Sequence, residues 1–284
     1  MRPAGGACLV LVLALTMLPA ATARASVSVL VGAGDIARCA TSGDEATAAL
    51  IEAIGGTVFT VGDNAYPDGS AQHFAECYGP SWGRFRTRTR PSPGNHEYKT
   101  ADAAGYFDYF RWRAGPGDRG YYAYNRGSWR IYSLNSEAIT AEQLAWLESD
   151  LAANPTRCSL AYWHRPLFSS GQHGNQSDTR PIWDLLYSAG TELVINGHDH
   201  DYERFYPQRP DGSRYWKGIR QFVVGTGGGA IRPFATVQPN SAARKSGAYG
   251  VLKLVLKDTE YRWRFITTNG SFVDTGSGVC HGRH

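Results

Sequence analysis

The chain has 284 residues, 42% of them hydrophobic, enough for a buried core in one large domain or two small ones. With Arg2 and Arg24 set aside, the 29 basic residues become 27 against 25 acidic ones. A balance this close gives no strong electrostatic bias toward nucleic acid or membrane, and no nucleic-acid binding is expected.

The N-terminus reads as a secretory leader. Arg2 precedes the apolar run Cys8–Leu18, which is too short to span a bilayer, and Ala23-Arg24-Ala25 is a small-x-small cleavage site. Residues 1–25 are expected to be removed, leaving a secreted single domain over 26–284 with no membrane span. Cys39, Cys77, Cys158 and Cys280 then remain, an even number suited to disulfides in an oxidising compartment. They lack the close paired spacing of a structural zinc site.

Val27–Val31 is a short β-branched run ending at Asp35, and Asp44–Ile54 has helical spacing stopped by Gly55-Gly56. Thr57–Val61 is a second strand, ending in Gly62-Asp63-Asn64-Ala65-Tyr66. Strand–helix–strand implies a parallel pair with a right-handed crossover, so Asp35 and Asp63 leave the same sheet edge. Residues 66–119 are turn-rich and aromatic, with short helices expected around Ala71–Cys77 and Ala103–Phe110. Within them Arg84, Arg86, Arg88 and Arg90 alternate; if extended, they share one face and read as a solvated edge strand, with a polyanion site as the alternative.

Pro93-Gly94-Asn95-His96 follows. Gly120–Asn125 and Trp129–Leu134 form a hairpin through Arg126-Gly127, and Thr140 caps a helix to Ala153 with Gln143 completing a capping box. Arg157–Trp163 is a strand ending at His164, Arg180–Ala189 a helix, and Thr191–Ile195 a strand running into His198 and His200. Gly218–Val224, Tyr249–Lys257 and Glu260–Thr268 have no helix between them and are expected to form an antiparallel set. The fold class expected is α/β (α+β): a four-layer α/β/β/α sandwich of two mixed sheets with flanking helices.

Asp, Asn, Tyr and His at successive strand exits are hard or borderline donors without thiolate, which suits iron, manganese or zinc. Asp63 has two oxygens and could bridge two ions ~3.5–4 Å apart. His198 and His200 project to one side if the chain stays extended there. Of the three possible cysteine pairings, Cys39–Cys77 with Cys158–Cys280 is favoured, because the first two flank this proposed site. Gly225–Gly229 lacks the Lys and helix of a phosphate loop and reads as a strand end passing close to the metals.

The ordered set Asp35, Gly62-Asp63, Gly94-Asn95-His96, His164 and Gly197-His198-Asp199-His200 resembles the calcineurin-like metallophosphoesterase superfamily. Within it, Asp35-Ile36-Ala37 in place of Asp-x-His, together with Tyr66, is similar to the purple acid phosphatases. That resemblance implies one metal held by Asp35, Asp63, Tyr66 and His200, and another by Asp63, Asn95, His164 and His198. Two carboxylates and a phenolate match Fe3+; the more neutral set matches Fe2+, Zn2+ or Mn2+.

The resemblance further implies hydrolysis of small phosphomonoesters by a metal-held hydroxide, with His96 and His173 facing substrate. Diesters or nucleotides are the alternative at the same site. A dead scaffold acting as a binding protein would have lost a ligand, and all are present. Glu97 and Asp201 read as carboxylates that orient ligand histidines, with an ordinary surface charge as the alternative. A monomer or weak oligomer is expected.

Overall fold

The computed structural model describes residues 27–283, together with residues 1, 3, 5 and 6. The apolar run and cleavage site expected of a leader lie outside the described residues. Chain order gives β1 (Ser28–Ala33), α1 (Gly43–Ile54), β2 (Thr57–Val61), a single helical turn α2 (Ala71–His73) leading into a π-helix over Phe74–Tyr78, and a 3-10 helix over Trp82–Arg88. Next come β3 (Thr89–Ser92), α3 (Ala104–Phe110), β4 (Tyr122–Arg126), β5 (Trp129–Ser133), α4 (Ala141–Ala153) and β6 (Cys158–Tyr162). The remainder is α5 (Arg180–Ser188), β7 (Leu193–Asn196), β8 (Tyr202–Phe205), β9 (Arg220–Val224), β10 (Ser241–Lys245), β11 (Gly250–Leu256), β12 (Glu260–Thr267) and β13 (Val273–Val279).

Two mixed sheets result, as the patterning predicts. The first has the order β13-β12-β11-β1-β2-β3 and the second β10-β8-β9-β7-β6-β5-β4. In the first, β1, β2 and β3 run parallel, while β11 pairs antiparallel to β1 and carries the β12–β13 meander beside it. In the second, β5, β6, β7 and β9 are parallel. The expected antiparallel set of the final third therefore divides. Arg220–Val224 enters the second sheet, parallel to β7 and antiparallel to β8. Its short, almost wholly buried run carries no alternation that could have told the two sheets apart.

Period-two alternation decides what the sheets bury. Leu160 and Tyr162 of β6 join the cluster between the sheets, with Ile195, Val224, Leu252 and Phe265. Ala161 points the other way, into a second cluster where Leu147, Ile182, Trp183 and Leu186 of α4 and α5 cover the sheet. Helix α1 packs on β1 and β11.

The cap of α4 is half as expected. Thr140 Oγ1 accepts from the Gln143 N–H, but the Gln143 side chain turns to the Asn135 backbone, accepting from its N–H at 2.8 Å and donating to its carbonyl at 2.9 Å. Cys39–Cys77 and Cys158–Cys280 are both disulfides, as favoured from the sequence. The first ties the loop after β1 to the π-helix. A further clamp joins the sheets: Asp274 of β13 accepts from Tyr202 and Arg204 of β8 and from Trp263 of β12. No helix among the described residues is long and apolar enough to cross a membrane.

Candidate metal centre

Parallel strands point their C-terminal ends one way, and both sheets use that edge. Asp35, Asp63 and Asn95 follow β1, β2 and β3, and His164 and His198 follow β6 and β7, each by two or three residues. Beyond the strands the first two loops stay paired: Asp35 N donates to Gly62 O, Ile36 N to Asp63 O and Ala37 N to Asn64 O. Asp35, Asp63 and His198 have φ of 57°, 50° and 71°, the left-handed conformation that turns each chain sharply at the site. Such a conformation costs a non-glycine residue about 1–2 kcal/mol. At His198 it is met by a bond from its N–H to Asp35 Oδ2 at 2.9 Å.

The side chains gather into two groups around one carboxylate. On the Oδ2 side of Asp63, the Tyr66 hydroxyl lies 3.1 Å from that oxygen, 2.9 Å from Asp35 Oδ1 and 3.1 Å from His200 Nε2. On the Oδ1 side, His164 Nε2 lies 3.4 Å from Asp63, 3.1 Å from Asn95 Oδ1 and 3.2 Å from His198 Nδ1. Glycine permits this crowding at Gly94, where a Cβ would collide with Oδ1 and the backbone N of Asp63.

The expectation that His198 and His200 share a side through an extended chain does not hold. The left-handed turn at His198 sends its ring to His164 and that of His200 to Tyr66.

The donor set fits a pair of cations. His164 Nδ1 faces the Val61 carbonyl and His200 Nδ1 the Ala230 carbonyl, so each ring donates there and presents the lone pair of Nε2 to the cluster. Those lone pairs face carboxylate and amide oxygens, an arrangement of acceptors that a buried site tolerates only with positive charge between them. Protons alone answer the same field differently. Burial works against the charged form of His164, but the Asp63 carboxylate outweighs it and pushes the imidazolium up to about 10. Burial, then the Asp35 and Asp63 charges, raise the Tyr66 phenol well above its usual value, so a phenolate there needs a cation. Among the described residues, Asp35, Asp63 and His164 place ligand atoms within 4.8 Å of one another.

His96 stands beside the first group. Its N–H donates to Asp63 Oδ1 at 2.8 Å, its ring packs edge-on against Tyr66, and its Nε2 lies 3.8 Å from Asp63 Oδ2. His173 stacks on the His198 ring at 4.3 Å between centroids, and its Nε2 meets Arg232 Nη1 at 2.7 Å.

The two carboxylates expected to orient histidines do neither. Glu97 is buried and accepts from the N–H groups of Asn64, Ala65 and Gly94, tying the Asp63 and Asn95 loops through backbone. Asp201 has no hydrogen-bond partner on either oxygen; burial, then the charges of Asp199, Glu203 and Asp35, push it up to about 9. Asp199 instead holds the His173 loop, accepting from His173 N and Ser169 Oγ. It and Arg232 are the residues sequence reasoning missed, though Asp199 lies in plain view between the paired histidines. Gly225–Gly229 does pass the site, with Gly227 N and Gly229 N donating to the Gly34 and Asp35 carbonyls.

Residues 30–202 match the sequence profile described as calcineurin-like phosphoesterase. The chain belongs to that family. Among curated relatives, purple acid phosphatase 15 of Arabidopsis thaliana is 32% identical over 183 residues, covering 54% of this chain and 33% of the relative. Human acid phosphatase type 7 is 28% identical over 225 residues, covering 64% and 50%. The chain thus spans a third to a half of the length of these relatives. In fold it is similar to a purple acid phosphatase from yellow lupin seeds, with TM-score 0.71 and 19% identity, covering 89% of this chain and 54% of that one.

Proposed function

We propose that this chain is a secreted phosphomonoesterase of the acid phosphatase kind, working with two cations that share Asp63. The division of the Asp63 carboxylate between two groups of acceptors carries this reading. Asp35, Asp63, Tyr66 and His200 would hold one cation, and their two carboxylates and phenol suit Fe3+. Asp63, Asn95, His164 and His198 would hold the other, and suit Fe2+, Zn2+ or Mn2+. Such a pair supplies positive charge for the phosphoryl oxygens and a water acidic enough to react at neutral pH.

The chain's own groups bind and orient the ester. His96 Nδ1 is turned to the Pro67 carbonyl, and its Nε2, 3.2 Å from Lys99 Nζ, would exchange that partner for a phosphoryl or leaving-group oxygen. His173, held through its backbone by Asp199, offers a second contact on the His198 side, with the Arg232 guanidinium beside it. Two disulfides support export to an oxidising compartment. The domain read as one unit is residues 26–284.

The test is a visible absorption spectrum with metal analysis, on wild type and Tyr66→Phe, alongside hydrolysis of p-nitrophenyl phosphate and its bis-ester. A tyrosinate-to-iron(III) band lost in the variant, two metals per chain and faster turnover of the monoester are expected. A colourless protein with two zinc or manganese ions overturns the iron assignment, and preference for the bis-ester overturns the monoester one. A protein inert with every added metal removes the enzyme reading.

A further inference from the structure

The run of four alternating arginines is split by the fold. Trp82–Arg88 is a 3-10 helix rather than a strand, so only Arg90 sits on β3 and the four do not share a face. Arg84 pairs with Glu45 at 3.2 Å. Arg88 donates to the Gly56 and Ile51 carbonyls, at the C-terminal end of α1 where a cation is favoured. Arg86 and Arg90 are left over, and Arg90 shares the Trp112 ring with a third arginine, Arg113.

None of these three forms an ion pair among the described residues, and the Nε atoms of Arg86 and Arg113 are buried with no hydrogen-bond partner. Arg90 donates only to the carbonyl of its neighbour Thr89. Burial, then the charges of Arg86 and Arg90, lower the pKa of Arg113. Aromatic rings hold them in place. Arg86 lies over Tyr109 at 4.7 Å, Arg113 over Trp112 at 4.3 Å, and Arg90 at 5.5 Å from Trp112 and 5.7 Å from Tyr124. Half-buried cations with orphaned donors and no counter-charge are costly unless an anion completes them.

We propose that Arg86, Arg90 and Arg113 form an oxyanion site for a phosphate group, separate from the metal centre. Guanidinium forks match tetrahedral oxyanions, and three together suit a dianion. Because guanidiniums already cover the aromatic faces, the site favours phosphate over a stacked base. Arg90 pairs opposite Phe59, two residues before the end of β2, so it lies back along the strands and not among the loops that carry the candidate ligands. The phosphate is either the free ion or one unit of a phosphate chain.

Inorganic phosphate is titrated calorimetrically into the full-length, metal-loaded protein at fixed chloride, for wild type and for Arg90→Gln/Arg113→Gln. Wild type should bind one equivalent more than the double variant, with p-nitrophenyl phosphate turnover within twofold. Equal stoichiometry and affinity in both proteins overturn the site, whatever happens at the metals. Should the double variant not fold, Arg113→Gln alone is read the same way, as at least a tenfold weakening of the extra equivalent. Imidodiphosphate distinguishes the sources. A more than tenfold tighter, variant-sensitive binding than phosphate identifies a chain, and equal variant-sensitive binding identifies the free ion. Imidodiphosphate binding that ignores the substitutions overturns the proposal.

Discussion

Asp274→Ala tests how the two sheets are held in register. The Asp274 carboxylate accepts from Arg204 Nε at 2.7 Å and Nη2 at 3.0 Å, from the Tyr202 hydroxyl at 2.6 Å and from Trp263 Nε1 at 3.1 Å. The Arg204 and Asp274 side chains are 13% and 10% exposed, so solvent cannot replace the lost partner. Removing one member of a buried pair costs about 3–5 kcal/mol, and each orphaned donor about 1–3 more, not additively. A loss of about 4–6 kcal/mol is expected, a large part of the 5–15 kcal/mol typical of a domain.

Urea unfolding followed by tryptophan fluorescence measures it, on wild type, Asp274→Ala and the apolar exchange Arg204→Met/Asp274→Leu. The exchange should recover most of the loss, because no charge is then stranded. The pH dependence has a definite sign. Burial raises the Asp274 pKa, but the bonds from Arg204 and Tyr202 outweigh it and hold the group below its ordinary 3.8. Its stabilisation is therefore complete above pH 3.8 and fades as pH falls through the depressed value. The gap between wild type and Asp274→Ala should be flat from pH 5 to pH 8 and narrow below 3.8. A loss under about 1 kcal/mol, or a gap that narrows instead toward alkaline pH, refutes the clamp.

Three further outcomes are expected. His96→Ala should lower kcat/KM for p-nitrophenyl phosphate by about 10²–10⁴-fold with metal content unchanged; lost metal would place His96 among the ligands or their supports. Gly94→Ala should reduce bound metal by elemental analysis, because its Cβ displaces the Asp63 carboxylate; full occupancy would mean the loop can shift. Serine replacement of Cys158–Cys280, which spans 122 residues, should destabilise by about 1 kcal/mol more than that of Cys39–Cys77, which spans 38, if loop entropy governs. Thermal melts of the two variants compare them directly.

Where a short, mostly apolar or β-branched run ends in a candidate ligand, the sequence was enough: Thr57–Val61 before Asp63 and Cys158–Tyr162 before His164 needed no tertiary information. The alternating arginines read as an edge strand, and Thr89-Arg90-Pro91-Ser92 is one, at a sheet edge where proline is tolerated, but nothing in their spacing marked Trp82–Arg88 as a 3-10 helix. Tyr202–Phe205 and Val273–Val279 carry charge and glycine that make sense only once Asp274 meets Tyr202 and Arg204. Local spacing likewise pointed to Glu97 as a histidine partner, whereas the fold spends its oxygens on three backbone N–H groups. Long-range pairing decides such roles, and a period-two or period-3.6 pattern does not encode it.

The place of β1 between β2 and β11 bears on how the molecule comes to exist. Its two neighbours are made almost two hundred residues apart, so a chain emerging from the ribosome carries β1 with one side unpaired until residues 250–256 appear. The Asp274 clamp and the Cys158–Cys280 link wait later still. Nothing N-terminal to these segments can settle the first sheet on its own, and the Asp35 loop rests on that sheet. The chain must be made as far as Cys280 before the candidate metal centre has a floor.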